Sequence, residues 1–309
     1  MTVRELAQGT AVGMIRRKME QVLKRPPWWA WFSLMGLEIP SAAIAWAFAV
    51  SQSHLVVVSS PWLYQFLFVA VWCVNMLDRV LKIFRSGSAV YTDECLLFAK
   101  KHCFVISLLI MVAAVTGLWI MFFQLGVVIF QFAFLPGVCS LLFLYFSSNP
   151  HQKGSLSSGF VMGAFFAAVS FATGAGIPAY FYGTVGGGWG GQLSEPTWYL
   201  VALVILCMFS RKRWNEEEEE DGQDSADRDM VSLVWMGVTV IYVVFCLAAA
   251  AREYTGDAWI YYGLAMAGAF MFVLDRLKMN MPPLLLYTLS WAALIFPLLL
   301  SGILAQASS

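Results

Sequence analysis

Nine stretches of mostly apolar residues constrain this chain more than any other feature of its sequence. A helix needs about 20 apolar residues to cross the roughly 30 Å hydrocarbon layer of a membrane. Only 12% of the 309 residues are charged, against about 25% in an ordinary soluble domain. We therefore expect an all-α, polytopic membrane protein with about nine transmembrane helices. The expected spans are 28–50, 60–81, 102–122, 126–147, 158–183, 195–210, 230–251, 257–275 and 283–305. The sixth window is short, so its helix is expected to extend beyond one of its ends.

The distribution of basic residues indicates the orientation of these spans. Lys and Arg accumulate on cytoplasmic loops and near the cytoplasmic ends of spans. With the N-terminus inside, all of the 19 basic residues except Arg252 fall on the cytoplasmic side. We therefore expect a cytoplasmic N-terminus and an outer C-terminus, in a membrane such as the bacterial inner membrane.

Two polar segments flank or interrupt the apolar spans. Residues 1–27 are basic and predict an amphipathic segment on the membrane surface rather than a cleavable signal. Residues 28–309 form the transmembrane domain, whose longest polar interruption is the acidic stretch 211–229. We expect this stretch to be a cytoplasmic loop between the sixth and seventh spans.

The six cysteines show no CxxC spacing, so they do not indicate a metal or redox motif. Nucleic acid is not an expected partner.

Polar side chains concentrate where the second and eighth spans reach the inner surface. On a helix Asn75, Asp78 and Lys82 share one face, because Asp78 follows Asn75 by three residues and Lys82 follows it by seven. Arg79 and Asp275 belong to similar stretches, LDRVLK and LDRLK. Together these ends provide six candidate substrate-binding or catalytic residues in addition to Asp78: Asn75, Arg79, Lys82, Arg85, Asp275 and Arg276.

This layout resembles the UbiA superfamily of intramembrane prenyltransferases. The shared features are nine spans, an inner N-terminus, a Lys24-Arg25-Pro26 lead-in, and polar motifs at the inner ends of the second and sixth spans. In that family an NDxxDxxxD motif ends the second span and a DxxxD-type motif follows the sixth. Both bind the diphosphate of a polyprenyl donor through Mg²⁺. The resemblance implies a central cavity that opens near the cytoplasmic face.

The resemblance also implies roles for individual residues. Asn75, Asp78 and Lys82 occupy the three acidic places of the first motif, so Asp78 is its single carboxylate. The acids after the sixth span take the place of the second motif. Asp78, Glu217 and Asp221 are therefore the expected catalytic residues, and the expected Mg²⁺ ligands are Asp78, Glu216, Glu217, Glu220 and Asp221. The arginines and Lys82 are expected to contact phosphate, and fewer Mg²⁺ ions should bind than in the family pattern, because Mg²⁺ needs near-octahedral oxygen coordination.

The residues also allow other interpretations. The acidic stretch is typical of a solvated loop, and each Asp-Arg pair is typical of an ion pair that fixes the end of a helix. Glu38 lies inside the first span, where an acid must be protonated, paired or in a wet cavity. The expected function is prenyl transfer from a polyprenyl diphosphate to a lipid or aromatic acceptor. The alternatives are a non-catalytic protein of the same fold that binds a lipid or quinone, and a nine-span transporter or assembly subunit with Glu38 as its coupling acid.

Overall fold

Within the residues that the computed structural model describes, every regular element is a helix. These residues are 26–53, 60–86, 94–147, 158–182, 194–219, 225–253, 258–278 and 281–308. The helices are α1 (Ala30–Leu34), α2 (Glu38–Ser53), α3 (Pro61–Ser86), α4 (Glu94–Lys101), α5 (Cys103–Trp119), α6 (Ile129–Ser147), α7 (Ser158–Tyr182), α8 (Glu195–Glu219), α9 (Ser225–Arg252), α10 (Ala258–Leu277) and α11 (Pro283–Ser308). A π-helical segment, Ile120–Leu125, continues α5. The expectation of an all-α fold is therefore confirmed for this part of the chain, and each predicted window coincides with one helix or two consecutive helices.

Five of these helices are long and apolar enough to cross a membrane. Within the described ranges they are Cys103–Leu125, Ile129–Ser147, Ser158–Tyr182, Ser232–Arg252 and Ala258–Leu277. α5 exposes large apolar side chains, including Phe104, Met111 and Val115. Such a surface is stable against hydrocarbon and unfavourable in water. The fold is that of a polytopic membrane protein.

The interior of the bundle is built around α7, which packs against α2, α6 and α8. In the membrane-crossing part of α7, 61% of the residues are buried, compared with 17% for α5. Its buried run includes Gly174, Ala175 and Gly176, and small residues of this kind let neighbouring helix backbones approach closely. α7 is therefore the buried centre of the bundle, and α5 is an exposed apolar helix on its surface.

The first predicted span is broken into α1 and α2 at Gly36, which has a φ of +63°. A Cβ atom at this position would lie 2.5 Å from Asn75 Nδ2, so glycine is required for space as well as for conformation. The break leaves carbonyl groups without helical partners, and α3 supplies donors for them. Trp72 Nε1 donates to the Met35 carbonyl at 2.9 Å, and Asn75 Nδ2 donates to the Gly36 carbonyl at 3.2 Å. These bonds fix α3 against the broken first span.

α8 continues nine residues past Ser210, to Glu219, and the short sixth window had predicted an extension of this kind. The expected loop at 211–229 is different in the structure, because residues 211–219 belong to α8 and residues 225–229 to α9. Arg, Lys and Glu are strong helix formers, so a run of these residues prolongs a helix that the apolar window has already nucleated. As a result, the basic residues after Ser210 lie on a rigid helix.

Candidate functional site

A cavity of about 910 Å³ lies among α2–α8 and α11. On α3 the lining residues extend from Phe66 to Lys82, a distance of about 24 Å along a helix. Most of the wall is apolar, and its residues include Phe66, Leu67, Val71, Leu144, Phe171 and Ile177. The cavity is therefore long enough to hold an extended hydrocarbon chain across most of a bilayer.

One end of this cavity is basic. Four cationic side chains line it: Arg79, Lys82, Arg211 and Lys212. Asp78 is the carboxylate among the described lining residues. We call this group of four cations the basic end. The C-termini of α3 and α6 meet at this end, because Ser147 contacts Asp78. The start of α7 lies beside them, since a Cβ at Gly163 would be 3.6 Å from the Ser147 nitrogen, and Lys212 of α8 lies over Phe160 in the first turn of α7.

Asp78 is held by two hydrogen-bond donors. Lys82 Nζ lies 2.7 Å from Asp78 Oδ2, and Ser147 Oγ donates to Asp78 Oδ1 at 2.7 Å. Lys82 is one helical turn after Asp78, so the first contact follows from helix geometry. The second depends on the packing of α6 beside α3. Both carboxylate oxygens thus accept hydrogen bonds from the protein.

Arg79 and Glu38 form a buried ion pair, with 3.4 Å between Arg79 Nη2 and Glu38 Oε1. Arg79 Nη1 also donates to the carbonyls of Ser33 and Leu34, at 3.1 and 3.0 Å. These carbonyls belong to the last turn of α1, beside the break at Gly36, and the Ser33 carbonyl also accepts from the Gly36 N–H at 3.0 Å. Of the three states expected for Glu38, the structure shows the paired one. Arg79 therefore joins α1, α2 and α3.

In the structure both aspartates of the Asp-Arg stretches have partners other than the arginine that follows them. Asp78 pairs with Lys82, and Asp275 accepts hydrogen bonds from Arg213 and from Trp214 Nε1, the latter at 2.9 Å. Adjacent residues on a helix point about 100° apart, so an acid is better placed to meet the residue one turn away or a residue of another helix. The Asp275 contacts join the C-termini of α8 and α10.

The other predicted substrate-binding residues occupy three different environments. Asn75 lines the cavity and also bonds the Gly36 carbonyl. Arg85 lies in the last turn of α3. Arg276 lies over the ring of Phe272, with Cζ 5.5 Å from the ring centroid. In the described part of the chain, neither Asp275 nor Arg276 lines the cavity, and the substrate-binding role of these two residues stays a prediction.

The predicted acidic half of the site falls at the end of α8. The backbone of Glu216 and Glu217 is helical, but their side chains lie outside the described part of the chain, as do residues Glu220 and Asp221 altogether. Their approach to Asp78 therefore stays a prediction.

The donor groups around Asp78 do not fit a Mg²⁺ site. Within the described ranges no group of three or more His, Cys, Asp or Glu side chains is placed to hold a metal ion. Mg²⁺ binds through several oxygen ligands in near-octahedral geometry, whereas the Asp78 oxygens face Lys82 and Ser147. Magnesium binding remains a prediction that depends on the acids beyond Trp214.

Sequence reasoning missed the part of the site that α8 and α11 provide. Arg211 Cζ lies 4.1 Å from the Tyr287 ring centroid and 5.6 Å from that of Trp291. Lys212 Nζ lies 4.2 Å from the Phe160 ring centroid. The available signal was the basic RKR run directly after an apolar span, together with two aromatic residues four positions apart on α11.

The cavity also reaches the apolar surface of the bundle. Ala114 of α5 and Gly137 and Leu141 of α6 line it and are themselves exposed, Leu141 to 69%. α5 and α6 make little contact with each other, and both are long and apolar enough to cross a membrane. This side opening is therefore bordered by exposed apolar side chains of α5 and α6.

Comparisons of this chain with protein-family models, curated proteins and solved structures found no match. The functional argument consequently depends on the cavity and its charges.

Proposed function

We propose that this protein is a UbiA-like membrane protein that binds a polyprenyl diphosphate in its cavity and transfers the prenyl group to a lipid or aromatic acceptor. The observation that carries the proposal is the combination, in one cavity, of a long apolar wall and the basic end. An amphiphile with a multiply charged anionic head and a hydrocarbon tail is complementary to both.

The apolar wall favours an isoprenoid tail. Burial of apolar surface contributes roughly 25 cal/mol per Å². A ligand with a tail of several isoprene units would therefore gain most of its binding free energy from contact with this wall. The side opening at Gly137 and Leu141 gives a membrane-dissolved tail access without passing through water. A soluble substrate needs no such opening.

The basic end favours a diphosphate head. Arg79, Lys82, Arg211 and Lys212 supply four positive charges, and Glu38 and Asp78 supply two negative ones. In an environment of low dielectric this excess of positive charge attracts an anion more strongly than it would in water. Arg and Lys also donate charge-assisted hydrogen bonds to phosphate oxygens.

The same charges support prenyl transfer. In that reaction the bond between the prenyl carbon and the diphosphate oxygen breaks, the diphosphate leaves with the electron pair, and a nucleophilic acceptor bonds to the prenyl carbon. Cations placed at the leaving group stabilise the charge that develops on it.

We also propose that all nine predicted windows cross the membrane, with the N-terminus and the basic end inside and the C-terminus outside, in a membrane such as the bacterial inner membrane. The coincidence of each window with a helix supports the number of spans. The positive charges at the ends of α3 and α8 support the direction.

One observation favours the non-catalytic alternative, in which the same cavity binds an anionic lipid or a quinone. Asp78 already accepts hydrogen bonds at both oxygens, so it is poorly prepared to hold a metal ion. For the transporter alternative, the proposed coupling acid Glu38 is already paired with Arg79, so a transported cation would have to compete with this guanidinium.

Binding and turnover of farnesyl diphosphate by the purified protein in lipid nanodiscs test the proposal. Farnesol serves as the neutral control, and every measurement is made with Mg²⁺ and with EDTA. We expect farnesyl diphosphate to bind more tightly than farnesol and to release diphosphate when an acceptor is present. Binding without turnover would favour the non-catalytic alternative, and equal affinity for the two probes would refute the role of the basic end.

A further inference from the structure

Two cations of the basic end each have a carboxylate close to them. On α3, Lys82 lies 2.7 Å from Asp78, and Arg79 lies 3.4 Å from Glu38. Each of these two cations has a carboxylate beside it. An anionic ligand that contacts them must compete with these carboxylates for the same N–H donors, which weakens its binding.

Arg211 on α8 has a different environment. It lies over the ring of Tyr287 and near that of Trp291, and all three residues line the cavity. Among the described residues no carboxylate forms an ion pair with Arg211. Aromatic faces stabilise a cation electrostatically, through the ring quadrupole. The N–H groups at the edge of the guanidinium therefore remain available to other acceptors.

The geometry of a guanidinium makes this arrangement suited to phosphate. Its five N–H donors lie in one plane and point outward from its edge. Neither ring provides a carbonyl or carboxylate oxygen to accept from them. Two parallel N–H···O bonds to one phosphate are therefore available to Arg211, with the cation held in place from the side of α11.

We infer that Arg211 is the principal phosphate-binding residue of this cavity and that Tyr287 and Trp291 are its positioning residues. The inference rests on the proposed function, because it takes the ligand to be a lipid with a phosphate or diphosphate head. This inference assigns binding of the phosphate head mainly to α8 and α11, rather than to the Asn75, Asp78 and Lys82 motif near the end of α3. Recognition by Arg211 is direct and needs no bridging metal ion.

The first test compares Arg211→Gln with Arg252→Gln. Arg252 is the control, because it is also an arginine at a helix end that makes a side-chain contact, with Glu195, but it is not among the described residues that line the cavity. In nanodiscs with EDTA, we expect Arg211→Gln to weaken farnesyl diphosphate binding roughly 10- to 100-fold and to leave farnesol binding unchanged. Arg252→Gln should match the wild type with both probes.

The second test addresses the positioning role of Tyr287. Tyr287→Phe keeps the aromatic face, so farnesyl diphosphate should bind as it does to the wild type. Tyr287→Leu removes the face, and binding should weaken roughly 3- to 10-fold while farnesol binding, which reports an intact cavity, stays the same. Equal diphosphate binding by the Phe and Leu variants would overturn the positioning role.

Inorganic diphosphate separates recognition of the head from partition of the tail. It should compete with farnesyl diphosphate on the wild type and lose this effect on Arg211→Gln. If the wild type binds farnesyl diphosphate and Arg211→Gln binds it equally well, the assignment to Arg211 is overturned and the proposed function stands. If the wild type binds neither farnesyl probe, the proposed function itself is overturned, together with this assignment.

Discussion

Replacing Glu38 by leucine should destabilise the protein strongly, because it leaves the Arg79 guanidinium buried without this carboxylate. Glu38 is completely buried, and its partner is nearly so. Removing one member of a buried ion pair typically costs about 3–5 kcal/mol, since the remaining charge is not compensated. The cost should be near the lower limit here, because the pair distance of 3.4 Å is long and Arg79 keeps the carbonyls of Ser33 and Leu34 as acceptors.

At an unfolding entropy of about 2.1 cal/mol/K per residue, a loss of about 3 kcal/mol corresponds to a fall in melting temperature of roughly 5 °C for this chain of 309 residues. Thermal unfolding in detergent micelles, followed by tryptophan fluorescence, measures this change. Glu195→Leu is the matched control. Its partner Arg252 lies closer, at 2.8 Å, but the side chains of both residues are more than half exposed, and an exposed pair contributes only about 0–1 kcal/mol.

Two results would contradict this reasoning. Equal shifts for Glu38→Leu and Glu195→Leu would show that burial does not determine the cost. In a double-mutant cycle, Glu38→Leu and Arg79→Leu should cost less together than the sum of the single changes. Additive costs would mean that the two side chains do not interact.

Three further predictions follow from the break in the first span, the Asp78 contacts and the proposed topology. Gly36→Ala should lower the melting temperature, because it combines a left-handed φ with a Cβ 2.5 Å from Asn75 Nδ2, whereas Gly137→Ala, whose Cβ meets open space, should not. Lys82→Asp should increase the dependence of farnesyl diphosphate binding on Mg²⁺ in a metal titration, since it replaces a cation beside Asp78 with an oxygen ligand; unchanged dependence would refute a metal role for this position. A reporter fused after Gly222 should be cytoplasmic and one fused at the C-terminus external, and an external Gly222 reporter would overturn the orientation.

The positions of the helices could be predicted from sequence because the length of an apolar window is a local property. The break at Gly36 could not, although it lies inside the first predicted window. It depends on donors from Trp72, Asn75 and Arg79 on another helix, and without them the free carbonyls would make an uninterrupted helix more stable. The visible signals were the glycine itself and Pro40, which lies in the first turn of α2, where proline is tolerated.

The candidate site was predictable where its geometry is local and not where it depends on tertiary packing. The shared face of Asn75, Asp78 and Lys82 follows from helix spacing, and all three residues line the cavity. The contact of Arg211 with Tyr287 joins residues 76 positions apart in the chain, so no local pattern predicts it. For the same reason the sequence analysis assigned Arg211 to the acidic loop.

Photocrosslinking with a farnesyl diphosphate analogue that carries a diazirine at the end of its tail tests the central claim most directly. The account predicts that the diphosphate head binds at the basic end and that the tail extends toward Phe66 and Ile177, at the far end of the cavity. Crosslinks should therefore map to the first half of α3 and the second half of α7, and unlabelled farnesyl diphosphate should abolish them. Crosslinks confined to the exposed face of α9, or not displaced by the unlabelled compound, would contradict the claim that this cavity is the lipid-binding site.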